Sequence, residues 1–351
     1  MRRALLSLAF ASTVLACGTA TQEASSESEV GTRPPKAWTP SPVKPGNLRV
    51  VTWNIRNFPK DTMGEAPDGG AADEETTTPA NAPLARKVNE TDQAMLIDML
   101  DRLDFDVLGV QEINDPAAFD ALLVRLGQKN GRAYESVYTV EWQHPQHVGI
   151  IVRKDRFAIT APKEHPEIAT RPTMRAGLSA HIESKKQGGI DFTMMVVHLA
   201  SGDSAGRATL RATQASFAAK AIAERKAELG DDDVVVVGDF NTARQEREMP
   251  AFDRAMAGEA SGVSRKENES ACTTYYTKGA NNPILQPSWI DHVYLASLSE
   301  RDESVPLVAG GHCAERSCQP FESSSPESGT SYWGVSDHCP VYFELADADR
   351  D

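Results

Sequence analysis

Buried strands dominate the pattern of this chain. Val234-Val235-Val236-Val237 is an unbroken apolar run, which predicts a strand covered on both faces. It breaks at Gly238 and delivers Asp239 and Asn241, which alternate to one side of an extended chain while Phe240 turns to the other. Residues 48–55 predict a first strand with Asn54 near its end, and 105–110 a second that ends in Gln111-Glu112. Further strands are expected at about 135–141, 148–153, 176–182 and 192–199, the last ending in His198-Leu199. Segments 288–296 and 340–345 complete the set, with Ser336-Asp337-His338 just before the final strand. Met95, Leu96, Met99, Leu100 and Leu103 recur at helical spacing, so a helix is predicted over roughly 84–103, with others near 116–126 and 207–229. Between the first strand and first helix, 59–83 is rich in Gly, Pro, Thr and acids and reads as a surface loop. Strands come in adjacent pairs between few helices, which fits a two-sheet sandwich better than a βαβ repeat.

The N-terminus has a different character. Arg2 and Arg3 precede an apolar run over 4–16, too short to span a bilayer and right for the core of an export signal. The run ends in Val14-Leu15-Ala16-Cys17-Gly18, which resembles the lipobox of bacterial lipoproteins. The resemblance implies cleavage after residue 16, acylation of Cys17 and an exported protein anchored to the bacterial membrane. Gly18 after the cysteine favours the outer membrane, and a secreted form is the alternative. Residues 1–17 are thus read as signal peptide and 18–46 as a flexible tether rich in Ser, Thr, Glu and Pro. Residues 47–346 are read as the folded domain, and Trp38 is the one hint that the tether docks.

Composition narrows the chemistry. With 40% hydrophobic and 25% charged residues, the chain can build a sizeable core. A formal net charge of -14 supplies no general attraction to nucleic acid or anionic membrane, so a polyanionic substrate needs local help such as a bound divalent cation. Apart from Cys17 there are Cys272, Cys313, Cys318 and Cys339. An even number in an exported chain predicts two disulfides; proximity favours Cys313 with Cys318, leaving Cys272 for Cys339. Their spacing lacks the paired CxxC pattern of a zinc site.

Eight polar groups stand at predicted strand ends: Asn54, Glu112, His198, Asp239, Asn241, Asp291, Asp337 and His338. Singly, each has a bland explanation as a strand terminator, a solvated charge or a satisfied core histidine. Together they exceed what a scaffold requires. Thr52-Trp53-Asn54, Gln111-Glu112, His198-Leu199, Gly238-Asp239-Phe240-Asn241, Asp291 within Trp289-Ile290-Asp291-His292-Val293-Tyr294, and Ser336-Asp337-His338 occur in an order that resembles the endonuclease/exonuclease/phosphatase superfamily, the fold of deoxyribonuclease I. The resemblance covers roughly 47–346. It implies a four-layer α/β/β/α sandwich of two mixed β-sheets and metal-dependent hydrolysis of a phosphoester.

By the same resemblance, Glu112 is the main metal ligand with Asn54 and Asp337 nearby, and His338, oriented by Asp291, activates water. Asp239 and Asn241 position nucleophile and phosphate, and His198 contacts a phosphoryl oxygen or the leaving group. Arg171, within Thr170-Arg171-Pro172, is the candidate phosphate-binding residue, with Arg175 as its competitor. Carboxylates and amides without free thiols suit Mg²⁺, with Mn²⁺ or Ca²⁺ as alternatives. The counterpart of His198 in deoxyribonuclease I has a glutamate partner on the strand that here reads Gln146-His147-Val148. A nuclease-like phosphodiesterase acting on extracellular DNA as a monomer is the expected function, although no Lys/Arg stripe interleaved with aromatics appears. A sphingomyelinase- or inositol-phosphatase-like phosphoesterase is the alternative. A sphingomyelinase would favour an exposed aromatic hairpin, for which Tyr275-Tyr276 and Tyr332-Trp333 are the only candidates and more naturally cleft walls or core. A non-catalytic surface-binding lipoprotein would be expected to have lost some of the eight groups.

Overall fold

The computed structural model describes residues 38–59, 90–242, 245–258, 261–267, 270–277, 282–296, 298, 300, 305–322 and 331–350. The export signal with Cys17, the tether up to residue 37, nearly all of the 59–83 loop and the first residues of the expected 84–103 helix lie outside the described residues. In chain order the first half comprises β1 (Asn47–Phe58), α1 (Gln93–Leu103), β2 (Val107–Ile113), α2 (Pro116–Asn130), β3 (Tyr134–Tyr138), β4 (His147–Arg153), β5 (Phe157–His165), α3 (Pro166–Ala169) and β6 (Gly177–Ser184). There follow β7 (Asp191–His198), α4 (Ala205–Leu229), β8 (Val234–Asp239), α5 (Gln245–Met256), β9 (Ser264–Arg265), β10 (Thr274–Thr277), β11 (Ile284–Ser288) and β12 (Asp291–Ala296). The chain closes with β13 (Val308–Ala309), α6 (Gly311–Glu315), β14 (Phe321–Glu322), α7 (Ser331–Gly334) and β15 (Val341–Ala346).

Two six-stranded sheets form the centre, in the orders β13-β15-β1-β2-β4-β3 and β5-β6-β7-β8-β12-β9. Both are mixed: β1 runs parallel to β2 and β7 parallel to β8, with antiparallel neighbours on either side. The valine run shows why the layers stack. Val235 and Val237 pack between the sheets with Val50, Val107, Ile150, Met194 and Phe343. Val234 and Val236 face outward onto Ala215, Ala218, Ile222 and Phe252 of α4 and α5. Alternation sends neighbouring side chains to opposite faces, so an unbroken apolar run is required where both faces are covered. Each such fully buried valine contributes on the order of 2 kcal/mol. On the other sheet, α1 and α2 cover Val51, Trp53 and Leu108 with Leu96, Met99, Leu100, Phe119 and Leu122. The expected four-layer sandwich is the observed architecture. A small third sheet, β10-β11-β14, lies outside that frame.

Several local outcomes differ from the sequence expectation. The first helix begins at Gln93 because Asp92 caps it, its carboxylate accepting from Met95 N at 3.0 Å. Strand β5 was not expected; its register shifts between Thr160 and Lys163, where Ala161 takes φ 44, so the period-2 pattern breaks. Helix α5 was hidden by Pro250 inside it. The single strand expected over 288–296 is two strands, parted at Trp289-Ile290, where Thr273 Oγ1 accepts the N–H groups of Ile290 and Asp291, each at 3.1 Å.

The disulfides correct the expectation most directly: they join Cys272 to Cys318 and Cys313 to Cys339. Cys313 sits in α6, and the turn that follows carries Ser317 and Cys318 at φ 49 and 55. That turn aims the two sulfurs at different partners despite their closeness in sequence, Cys318 at the segment ahead of β10 and Cys313 at the segment ahead of β15. Trp38 is buried against Tyr342 with ring centroids 6.0 Å apart, its N–H donates to Glu315 and its carbonyl accepts from Arg102. Tyr275 and Tyr332 are core residues, while Tyr276 is exposed. No helix among the described residues is long and apolar enough to cross a membrane.

Candidate active site

Sheet register assembles one wall of the site. His198 at the end of β7 pairs with Asp239 at the end of β8, and Asp239 pairs with Asp291 at the start of β12. Three candidate side chains thus stand in a row, one strand spacing apart. Gly238 makes this possible. Its φ is 147, and an added Cβ would lie 2.0 Å from Val197 O, so only glycine lets β8 lie this close to β7. The opposite wall comes from β1 and β2. Gly109 brings the sheets together there, since an added Cβ would meet Val237 Cγ2 at 2.8 Å.

Asn54 joins the walls. Its Nδ2 donates to Glu112 Oε1 and to Asp239 Oδ2, each at 3.0 Å. Glu112 Oε2 accepts from Asn57 N at 3.1 Å. Glu112 and Asn241 both hold left-handed backbone, at φ 60 and 54, a conformation costing on the order of 1–2 kcal/mol per non-glycine residue. Asn241 donates its N–H to Asp239 Oδ1 at 2.9 Å and its Nδ2 to Leu199 O at 3.1 Å.

The loop before β15 brings the remaining groups. Ser336 Oγ donates to Asn54 O at 2.7 Å and accepts from His338 N at 3.1 Å, while Trp53 Nε1 donates to His338 O at 3.0 Å. These bonds strap the loop to β1. His338 Nδ1 lies 3.0 and 3.1 Å from the two Asp291 oxygens, and its Nε2 points back toward Asp239 Oδ2 at 3.7 Å. His198 Nε2 lies 3.4 Å from Asp239 Oδ2 and 3.8 Å from Glu112 Oε1. Asp337 stands at the rim, its Oδ2 3.1 Å from Arg56 Nη1.

The electrostatics follow from burying this many acids together. Burial raises the Glu112 carboxyl, against the Asn54 hydrogen bond and with added repulsion from Asp337. Burial pushes Asp239 up to about 7, Asp291 and Glu112 add to it, and His338 opposes it. Burial alone would depress His338, but Asp291 and Asp239 outweigh it and hold the imidazole well above its ordinary value. Burial holds His198 well below its ordinary value, with the Arg175 charge adding to it.

Across the site the chain matches the model of the Endonuclease/Exonuclease/phosphatase family over residues 51–338. The chain belongs to that family. It includes phosphodiesterases, nucleases and phosphatases that act on phosphoesters, and its members commonly use divalent metal ions. No curated protein matches the sequence. Among solved structures, the human Nocturnin catalytic domain with bound sulfate anion is similar at TM-score 0.55 and 15% identity, over 86% of this chain and 95% of that one. TDP2 from D. rerio, complexed with single strand DNA product, is similar at TM-score 0.50 and 18% identity, over 85% and 98%. The mannosyl-6-phosphatase Bt3783 from Bacteroides thetaiotaomicron VPI-5482 gives TM-score 0.52 and 17% identity, over 85% and 99%.

Within this family frame, the structure gathers Asn54, Glu112, His198, Asp239, Asn241, Asp291 and His338 into one cluster, with Asp337 at its edge. Arg171 stands apart: it is exposed on the loop before β6, and among the described residues no hydrogen bond or ion pair ties its side chain to the cluster. Arg175 is buried and grips main chain instead, donating to His198 O at 3.1 Å and Leu199 O at 2.6 Å. Sequence reasoning missed Asn57, whose backbone N–H holds the Glu112 carboxylate, and Thr273, whose hydroxyl accepts the Asp291 N–H. Glu112, His198 and Asp239 approach closely enough to share one cation, and so do Asp239, Asp291 and His338. A third cluster, His312 with Cys313 and Cys339, has both sulfurs in the disulfide and offers no thiolate for zinc.

Proposed function

We propose that this chain is a divalent-metal-dependent phosphoesterase that hydrolyses phosphodiesters in a nuclease-like manner. The observation that carries the reading is the pose of His338: Nδ1 is engaged by Asp291 and Nε2 is turned into the cleft toward Asp239. In its neutral form, reached at a pH above its raised pKa, an imidazole held this way donates Nδ1–H to the carboxylate and keeps the Nε2 lone pair for a water proton. Asp291 then stabilises the imidazolium that forms. Asp239 and Asn241 lie beside that path and orient the water, while His198 Nε2 is placed to hydrogen-bond a phosphoryl oxygen.

Glu112, Asn54 and Asp337 would hold the cation. The donor set fits Mg²⁺ or Mn²⁺: it is oxygen-rich, free of thiolate, and the Asp337 charge adds to the burial that raises the Glu112 carboxyl. Bound there, such an ion supplies charge neutralisation at the phosphoryl oxygens. Export with Cys17 as a lipid anchor would bring the site to extracellular phosphodiesters, among which DNA is the favoured substrate. The test is hydrolysis of bis-p-nitrophenyl phosphate with and without EDTA, beside plasmid DNA, sphingomyelin and inositol phosphates in Mg²⁺ and in Ca²⁺. Cleavage of DNA that EDTA abolishes is expected; turnover indifferent to EDTA removes the metal, and turnover of sphingomyelin or inositol phosphates alone removes the nuclease reading. Cys17→Ala is expected to release the protein from membranes, and continued anchoring would contradict acylation.

A further inference from the structure

The two walls of the cleft must face each other at a fixed separation, and ladder bonds within either sheet cannot set it. Glu112 Oε1 and His198 Nε2 stand 3.8 Å apart across this gap. A chain of hydrogen bonds runs around the gap from one to the other, through the residue just ahead of β4. Asn57, whose N–H holds Glu112 Oε2, accepts with its side-chain oxygen from Gln146 Nε2 at 2.8 Å. Gln146 Oε1 accepts from Arg175 Nη1 at 3.1 Å. Arg175 then ends on the main-chain oxygens of His198 and Leu199. The amide orientation is forced: a guanidinium only donates, so oxygen faces Arg175 and the NH₂ is left for Asn57.

This arrangement replaces the acid that the superfamily resemblance places beside the histidine. His198 Nδ1 is buried and has no hydrogen-bond partner among the described residues, so no carboxylate braces the ring from the Nδ1 side. The strand end is held by its carbonyls instead. A neutral amide makes the connection without adding charge to a cleft that already contains Glu112, Asp239, Asp291 and Asp337.

We propose that Gln146 is a positioning residue, whose side-chain amide, bonded to Asn57 and Arg175, sets the separation of Glu112 from His198 on which cation and phosphoryl binding depend. The proposal rests on the phosphoesterase reading of the same site. It is tested with Gln146→Ala and with Gln146→Met, which keeps the volume and loses the hydrogen bonds. Both are expected to weaken Mn²⁺ binding, measured by calorimetry, by about tenfold and to lower kcat on bis-p-nitrophenyl phosphate by about tenfold, the scale of partners that orient metal ligands. Both are also expected to shift the His198 resonances of ¹⁵N-histidine-labelled protein, assigned with His198→Gln. Wild-type Mn²⁺ affinity and unshifted His198 resonances in Gln146→Met would overturn the proposal, because packing alone would then suffice. A wild-type protein that neither binds Mn²⁺ nor hydrolyses the substrate would overturn the phosphoesterase reading, while the His198 resonances still decide whether Gln146 holds that strand end.

Discussion

Replacing Asp291 with Asn changes one charge and almost no volume, so it isolates what the carboxylate does for His338. The pair is buried, and His338 Nδ1 lies 3.0 Å from Asp291 Oδ2. At an effective dielectric near 20, opposite unit charges at this separation attract by about 5 kcal/mol. That attraction exists only while His338 is protonated, which at a pH above its raised pKa, where the base is free, means in and after the proton transfer. It therefore lowers the barrier rather than tightening substrate binding. Asp239, 3.7 Å from Nε2, retains part of the field, so the expected loss in kcat is about 10²- to 10⁴-fold with KM little changed. The direction of the pH effect also follows. Asp291 helps hold the His338 proton; without that charge the imidazole binds a proton more weakly, so the acid limb of the rate profile moves to lower pH while the plateau falls. Initial rates on bis-p-nitrophenyl phosphate from pH 5 to 9, at saturating Mg²⁺, measure both effects. A folded Asp291→Asn protein within about fivefold of wild type at every pH would show that Asp291 only fills space.

Three further outcomes are expected. Glu112→Gln removes a partly buried charge from the proposed cation site, and should weaken Mn²⁺ binding by calorimetry at least tenfold, roughly the lower end seen when a ligand's support is lost; unchanged affinity would move the cation elsewhere. Gly238→Ala forces a Cβ to within 2.0 Å of Val197 O, so it should cost about 3 kcal/mol or more in urea unfolding and abolish turnover, and a native-like midpoint would contradict the close approach of β7 and β8. His292, depressed to about 3 by burial, stays neutral in the fold while the unfolded imidazole protonates below about pH 6.5; stability present above that pH is lost toward pH 3 at about 1.4 kcal/mol per unit from this group, and His292→Phe, which keeps ring packing on Phe240, should flatten that slope.

The sequence carried the parts of the fold that rest on continuous apolar runs. Val234 to Val237 declare a doubly covered strand because every position must be apolar, and the ends of such strands mark where polar side chains can converge. Strand β5 was illegible since its bulge at Ala161 breaks the alternation, and α5 since Pro250 argues against a helix. Cys313 and Cys318 misled because closeness along the chain ignores how α6 and its left-handed exit aim the thiols. Among site residues, the acids and imidazoles were visible through their chemistry. Their supports were not: Thr273 acts through a hydroxyl that accepts two backbone N–H groups, and Asn57 through its own backbone N–H. Such roles depend on which strands lie adjacent, and adjacency is a property of the sheets.

At the cleft, polar side chains are held at a cost in backbone strain. Left-handed backbone at Arg56, Asn57, Glu112 and Asn241 stands where β1, β2 and β8 end at the cleft, beside further such residues at Asp104, Ala161, Thr170, Ser317 and Cys318 in turns and a bulge elsewhere, and each costs on the order of 1–2 kcal/mol. A protein selected for stability alone would relieve this with glycine, which adopts these angles freely. Glycine would remove the Glu112 carboxylate and the Asn241 amide from the cleft. Burying Glu112 and Asp239 beside each other costs further free energy, visible in the upward displacement of both carboxyls. These penalties sit at the mouth of two sheets whose shared core is otherwise closely packed and apolar, and that core is what offsets them. A cation bound between the carboxylates would relieve the repulsion by binding only the folded state, so unfolding in the presence of Mn²⁺ should be displaced upward by the usual mass-action term, about 2.7 kcal/mol at a hundredfold excess over the dissociation constant. If saturating Mn²⁺ leaves the melting temperature unchanged, the strained acids are not a cation site, and the stored strain needs another explanation.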